Sequence, residues 1–224
     1  MCGRYSIGPE IESLVERLNI ALPPDFAPHY NAAPSQHLPV VSSQQPDKIS
    51  RYQWGMIPFW AKSPGQRLIN ARAETVNEKS TFKRAFRSQR CLVPASGYYE
   101  WKKTPQGKEP YRIVLSDKSP FVFAGIWQRP SELSTTEASG SDLPEYCIIT
   151  TATPSSIKNI HDRMPVVLDE AAWDFWLSDT EDDEGLQDVL RPLKDDQIKA
   201  YPVSKRVNNV RNDDKELIEV VYLK

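Results

Sequence analysis

The sequence contains no Cys-x-x-Cys pair and only three cysteines, Cys2, Cys91 and Cys147, among 224 residues. An odd number at such wide spacing excludes a disulfide framework and a zinc ribbon, and it fits a reducing compartment. No uninterrupted apolar run reaches the roughly 20 residues needed to span a bilayer, and no basic-then-apolar leader precedes a small-residue cleavage site. The expectation is a soluble cytoplasmic protein with no membrane role. Internal repeats, low-complexity tracts and an obvious interdomain linker are also missing, which points to one domain over 1–224. Net charge is small, at −2, and on its face this argues against a polyanionic partner.

The distribution of charge reverses that argument. Residues 51–112 carry 13 Lys or Arg against 4 Asp or Glu, whereas residues 169–196 carry 2 against 11. A basic segment of this kind can neutralise phosphates while the acidic run, Glu181–Glu184 included, solvates another face. With 39% hydrophobic and 10% aromatic residues, the chain is able to bury a substantial core.

Local patterns favour short strands with a few helices. Ile11, Leu14, Val15 and Leu18 recur at i, i+3, i+4 and i+7 behind Pro9, which predicts an amphipathic helix. Strand-length segments rich in β-branched and aromatic residues fall at Leu38–Val41, Ile49–Trp54, Leu92–Trp101, Tyr111–Leu115, Phe121–Trp127 and Tyr146–Ala152, with weaker ones at Val166–Leu168 and Ile218–Tyr222. Further helices are predicted at Ser80–Arg87, Thr153–Asn159, Asp169–Leu177 and Glu184–Leu190. Ser131–Leu143 reads as a mobile polar loop, and the proline-rich stretch from Leu22 to Tyr30 as an extended surface connection. Cys91 and Cys147, inside predicted strands, read as buried and inert.

The feature with most chemical content is Cys2. Loss of the initiator methionine leaves one residue with a free α-amine, titrating near roughly 7.7–8.0, and a thiol near roughly 8.5, so both are partly available at neutral pH. Taken alone, a small second residue is equally explained by the needs of methionine removal. Five more clusters follow in order: Tyr30-Asn31-Ala32-Ala33-Pro34, Trp54-Gly55-Met56-Ile57-Pro58, Ile69-Asn70-Ala71-Arg72-Ala73-Glu74-Thr75, Gly97-Tyr98-Tyr99-Glu100-Trp101 and His161-Asp162-Arg163-Met164-Pro165. Together with Met1-Cys2-Gly3-Arg4-Tyr5 they resemble the SRAP family, abasic-site-processing proteins that attach covalently to damaged single-stranded DNA. The resemblance runs from residue 2 to about 209. Ala32 stands where the family commonly has valine, and Ser96 where an acidic residue often precedes the glycine.

The strand and helix pattern sums to an α+β domain built mainly on antiparallel strands, and the resemblance implies a single domain with a barrel-like β core and several short helices. No cofactor or metal is expected, and a monomer is the default; the resemblance implies a partner, single-stranded DNA containing abasic sites, with a junction to duplex as a preferred setting. It also implies self-release of the adduct, with lyase activity left open, and a peptidase-like activity limited to exposing Cys2. Chemically, an aminothiol meeting the open-chain aldehyde of an abasic site forms an imine and then a thiazolidine, which removes the iminium that promotes strand cleavage. Proximity alone contributes roughly 7–11 kcal/mol to such a condensation.

Catalytic roles fall to Cys2, Asn70, Glu100 and His161. Glu100, in an aromatic strand, is the general acid/base because desolvation raises its proton affinity. His161 assists sugar-ring opening, and Asn70 orients the Cys2 amine or the open sugar. His29 and His37 lack a comparable setting. Arg4, Arg72 and Arg163 suit phosphates flanking the lesion, Trp54 and Trp101 suit base stacking with Trp60 a weaker case, and Ser204 adds a phosphate hydrogen bond. Two other readings stay open: an N-terminal-cysteine glutaminase, although the chain lacks a His-Thr-Arg-Trp stretch and a second domain, and a noncovalent single-stranded nucleic-acid binder.

Overall fold

The computed structural model describes residues 2–63, 65–130, 133 and 142–222. Twelve strands occur among them: β1 Tyr5–Ile7, β2 His29–Ala32, β3 His37–Ser42, β4 Gln45–Trp54, β5 Asn70–Arg72, β6 Arg90–Ala95, β7 Gly97–Thr104, β8 Gly107–Leu115, β9 Phe121–Gln128, β10 Glu145–Ala152, β11 Arg163–Pro165 and β12 Ile198–Pro202. The helices are α1 Ile11–Arg17, α2 Ser80–Ser88, α3 Trp173–Leu177 and α4 Asp183–Asp188, with six 3₁₀ turns. The α+β class holds.

Five strands form one sheet in the order β12-β8-β7-β1-β2. The other sheet runs β11-β10-β4-β3-β6-β9, and β9 pairs back onto β10 so that it closes as a ring. Most pairs are antiparallel, but β10 lies parallel to both β4 and β5. This arrangement matters for the site. Along one edge of β10, Gln53 and Trp54 of β4 pair with Glu145 and Tyr146, and Asn70 of β5 pairs with Ile148 two residues on. β5 therefore resumes where β4 stops, and residues 55–69 are an excursion between the two, its base closed by a bridge between Met56 and Leu68.

The core fills the ring and the space between the sheets. Tyr5, Trp54, Tyr146 and Phe123 meet there, Tyr5 edge-on to Trp54 and Phe123, Trp54 stacked with Tyr146. Their polar ends are satisfied: the Tyr5 and Tyr146 hydroxyls lie 2.8 Å apart and the Trp54 indole donates to Ile69 O at 3.1 Å. Helix α1 buries Ile11, Leu14 and Val15, as its spacing predicts, and stops at Asn19, whose φ of 53° is the left-handed conformation that asparagine tolerates. α2 buries Phe82, Ala85 and Phe86. Below it the buried Arg90 donates to the carbonyls of Phe86, Arg87, Trp176 and Ser178, joining the ends of α2 and α3.

Several predicted elements are revised. Leu92–Trp101 is not one strand: the chain breaks at Ser96, and β6 and β7 belong to different sheets. The cause is local, since the Ser96 amide and hydroxyl both engage Ser6 O and a Cβ at Gly97 would meet the Arg112 guanidinium at 2.7 Å. Thr153–Asn159 forms only a 3₁₀ turn at Ser155–Ile157, and Asp169–Leu177 begins as a 3₁₀ turn before α3. Val166–Leu168 contributes a single bridge from Val167 to Phe123, and Ile218–Tyr222 is not a strand. The predicted loop at 131–143 lies almost wholly outside the described residues. Among the described residues, no helix is long and apolar enough to cross a membrane.

Candidate functional site

The ends of β1, β5, β7 and β11 meet at the junction of the two sheets. Cys2 precedes β1, and its carbonyl accepts a 2.8 Å hydrogen bond from Asn70 Nδ2, at the first position of β5. Glu100 reaches the same place from β7, which is paired directly with β1 through Tyr98 and Tyr5. His161, two residues before β11, puts Nε2 4.0 Å from Glu100 Oε2. Residues separated by as much as 159 positions in the chain thus face one another, as the motif order implies.

Burial sets the electrostatics. Cys2 is fully buried, and its thiol donates weakly to Arg4 O at 3.9 Å. Desolvation, reinforced by the negative charge of Glu100, pushes the thiol pKa far above its ordinary value. This holds for the chain that still carries Met1, whereas the expectation of a partly ionised thiol concerns Cys2 after Met1 is lost. Glu100 is only 4% exposed, and desolvation raises its carboxyl pKa against the opposing positive charge of His161. The Arg163 amide donates to His161 Nδ1 at 3.0 Å, so the neutral ring carries its proton on Nε2, toward Glu100. Contacts from the same Nδ1 to Asp162 Oδ1 at 3.1 Å and Arg163 O at 3.2 Å require a proton on that nitrogen and belong to the cationic ring.

Glu100 and His161 open onto a cavity of about 490 Å³ whose other walls are Trp101, Lys103, Lys108 and Asn208. A larger cavity of about 610 Å³, between α2 and the start of the 177–179 segment, holds none of these residues. No group of three or more His, Cys, Asp or Glu among the described residues is arranged to hold a metal ion.

The sequence profile of the family described as SOS response associated peptidase (SRAP) matches residues 1–210. The chain belongs to the SRAP family. It is 40% identical to the abasic site processing protein YoqW of Bacillus subtilis, over 98% of this chain and 99% of that protein. It is 30% identical to the abasic site processing protein YedK of Escherichia coli, over 99% and 100% of the two chains. A crystal structure of a Bacteroides thetaiotaomicron protein superposes with a TM-score of 0.83 at 26% identity, covering 98% of this chain and all of the other.

Outside the central four residues, the structure distinguishes among the residues predicted to bind DNA in this SRAP chain. Trp101 fits: it is half-buried on the cavity wall, with its indole donating to Asn208 Oδ1 at 2.7 Å. Trp54 does not fit and is corrected to a core residue, because it is fully buried and wholly packed against Tyr5 and Tyr146. Arg72 is exposed and has no ion pair among the described residues. Arg4 is half-buried, donates to Asn31 Oδ1 at 2.7 Å and Val207 O at 2.9 Å, and stands 5.9 Å from the centre of the Trp101 ring. Arg163 is engaged by both oxygens of Glu74 and by Thr150 O, so a phosphate must compete with an existing carboxylate. Ser204 is likewise occupied locally, its oxygen capping the 205–208 turn by accepting from Arg206 N at 3.3 Å.

Sequence reasoning gave no part in the site to Asn31, Lys103 or Lys108. Asn31 Nδ2 faces the carbonyls of Val207, Asn209 and Asn212 and so fixes the 207–212 segment that brings Asn208 to the cavity. Asn31 stood in a quoted cluster, but its partners lie nearly 180 residues away and no spacing rule reaches them. Phe59 and Trp60, the latter weighed as a weaker stacking candidate, are 78% and 50% exposed on the 55–69 excursion and do not line this cavity; the Trp60 indole donates to Thr81 Oγ1 of α2 at 3.1 Å. The signal was present as Pro58-Phe59-Trp60 between breakers, but exposure is a tertiary property. Lys103 and Lys108 were counted in the basic segment and given no DNA-binding role.

Proposed function

We propose that this protein processes abasic sites in single-stranded DNA by forming a covalent crosslink through Cys2. The observation that carries the reading is the convergence of Asn70, Glu100 and His161 on Cys2 beside a basic, aromatic-walled cavity. The names of the SRAP relatives support the substrate class.

Removal of Met1 converts the Cys2 nitrogen from an amide to an amine, for which the buried, unpartnered Asn70 Oδ1 is an acceptor. His161 protonates the sugar ring oxygen while the C1′ hydroxyl gives its proton to water, so the C1′–O ring bond breaks and the aldehyde is freed. The Cys2 amine attacks first, because only the nitrogen adduct can dehydrate to an iminium, and the resulting carbinolamine loses water with a proton supplied by the Glu100 carboxyl. The raised pKa of Glu100 keeps that proton available nearer neutrality. Sγ then adds to the iminium carbon while its proton passes to the Glu100 carboxylate. The balance is aldehyde plus aminothiol giving thiazolidine plus water. Consuming the iminium in this way protects the strand from β-elimination.

Borohydride separates the steps. Mature protein incubated with an abasic oligonucleotide gives an adduct stable in denaturant without reductant, whereas Cys2→Ser gives one only when borohydride traps the imine. A denaturant-stable, reductant-independent adduct from Cys2→Ser contradicts the ring.

A further inference from the structure

We infer that Lys103 and Lys108 form a phosphodiester clamp at the mouth of the Glu100–His161 cavity, a role that rests on the DNA reading above and extends it to a specific contact. The two residues are directly opposite in the β7–β8 hairpin, one pair beyond Lys102 and Glu109. In an antiparallel ladder, directly opposed side chains share a face, and residues two apart along a strand share it too. Lys103 and Lys108 therefore lie on the face of Trp101, and all three line the same cavity.

Like charges directly opposed across a ladder repel. The chain relieves such repulsion elsewhere nearby: Arg163 is paired with Glu74, Arg206 with Asp214 and Glu216, and Lys102 faces Glu109 across the hairpin with its ammonium 5.9 Å from the Tyr111 ring. Lys103 and Lys108 are exposed and have no carboxylate partner among the described residues. Their hairpin is also a defined support, with Thr104 Oγ1 donating to Gly107 O at 2.9 Å and Gly107 at a φ of 117° that suits glycine. Two uncompensated ammonium groups on a fixed turn, flanked by an aromatic wall, match an anion that passes between them. A phosphate of the strand whose lesion enters the cavity supplies that anion. The contact would set strand position without reading sequence.

The test uses mature protein and an oligonucleotide bearing a tetrahydrofuran abasic analogue, which has no aldehyde and so reports binding apart from crosslinking. Fluorescence anisotropy across a salt series gives the slope of log K against log salt. For single strands each lost phosphate contact makes the slope shallower by roughly 0.7, so Lys103→Gln/Lys108→Gln is expected to lose about 1.4 and to bind about 25-fold more weakly at 0.1 M salt. Lys103→Glu installs an ion pair with Lys108, and the expected result is a higher melting temperature together with weaker DNA binding. An unchanged salt slope in the double variant, or a lowered melting temperature in Lys103→Glu, overturns the clamp. Wild-type protein that binds the analogue with the expected salt slope but forms no adduct with a true abasic site overturns the crosslinking reading instead and leaves the clamp standing.

Discussion

Glu145→Ala is expected to be among the most damaging single substitutions in this fold, although Glu145 touches no reacting group. Its carboxylate is entirely buried at the start of β10. One oxygen accepts from Arg67 Nη1 at 2.9 Å, and the other from Ile57 N at 2.8 Å and Gln128 Nε2 at 2.7 Å. Arg67 also donates to Gly55 O at 2.8 Å, so a single carboxylate ties both arms of the excursion that carries Phe59 and Trp60. Side-chain exposure is 10% for Arg67 and zero for Glu145. Truncation leaves a buried guanidinium and a buried amide without their acceptor, which costs about 3–5 kcal/mol. For a domain of this size, at about 2–4 °C per kcal/mol, the melting temperature falls by about 6–20 °C. The internal control is the exposed pair Arg51–Asp25, with side chains 52% and 73% exposed, where Arg51→Ala should cost about 0–1 kcal/mol. Urea denaturation of both variants measures the difference, and replacing Arg67 and Glu145 together by Met and Leu should recover the part of the loss due to the unpaired guanidinium, but not the part due to the Ile57 amide. If Glu145→Ala costs no more than Arg51→Ala, the argument from burial is wrong.

Trp54 and Trp60 should respond in opposite ways. Trp54→Ala is expected to lose about 3–5 kcal/mol of stability by opening the core, whereas Trp60→Ala should change stability by less than about 1 kcal/mol and weaken single-stranded DNA binding by about 1–3 kcal/mol; paired denaturation and anisotropy titrations read both. Glu100→Gln tests the buried carboxyl through pH. Because the folded pKa lies above the unfolded one, the native state favours the protonated form, and the associated stability is present below the unfolded value and is lost as pH rises through the folded value. Thermal melts should therefore show the variant gaining stability over wild type toward pH 8 and no such gain near pH 4, with crosslinking slowed. A gain confined to low pH contradicts the raised pKa.

The sequence made legible what depends on neighbours along the chain. Periodicity located α1 and α2 and most of β4, β9 and β10, and the ordered clusters named Cys2, Asn70, Glu100 and His161, which the fold brings together. It failed where tertiary structure overrides local pattern. β1, β2 and β5 are three or four residues long and exist because a partner strand offers its edge, not because their own residues insist on it. The break at Ser96 depends on contacts to Ser6 and on Arg112 beneath Gly97, neither visible in a continuous apolar run. Trp54 and Trp60 are six positions apart and equally aromatic, yet one is fully enclosed and the other half in solvent. The burial of the thiol is another such case: while Met1 is present, desolvation beside a carboxylate raises its pKa, and no local pattern announces that burial.

The central claim is that Cys2, once Met1 is gone, supplies both atoms of the crosslink. Mass spectrometry of the purified protein after incubation with an abasic single-stranded oligonucleotide tests it most directly. The account predicts a species equal to the protein without Met1 plus the oligonucleotide minus one water, with digestion mapping the modification to the Cys2 peptide and no thiol there left to alkylate. An adduct mapped to any other residue, or one at Cys2 that leaves its thiol free to alkylate, contradicts it.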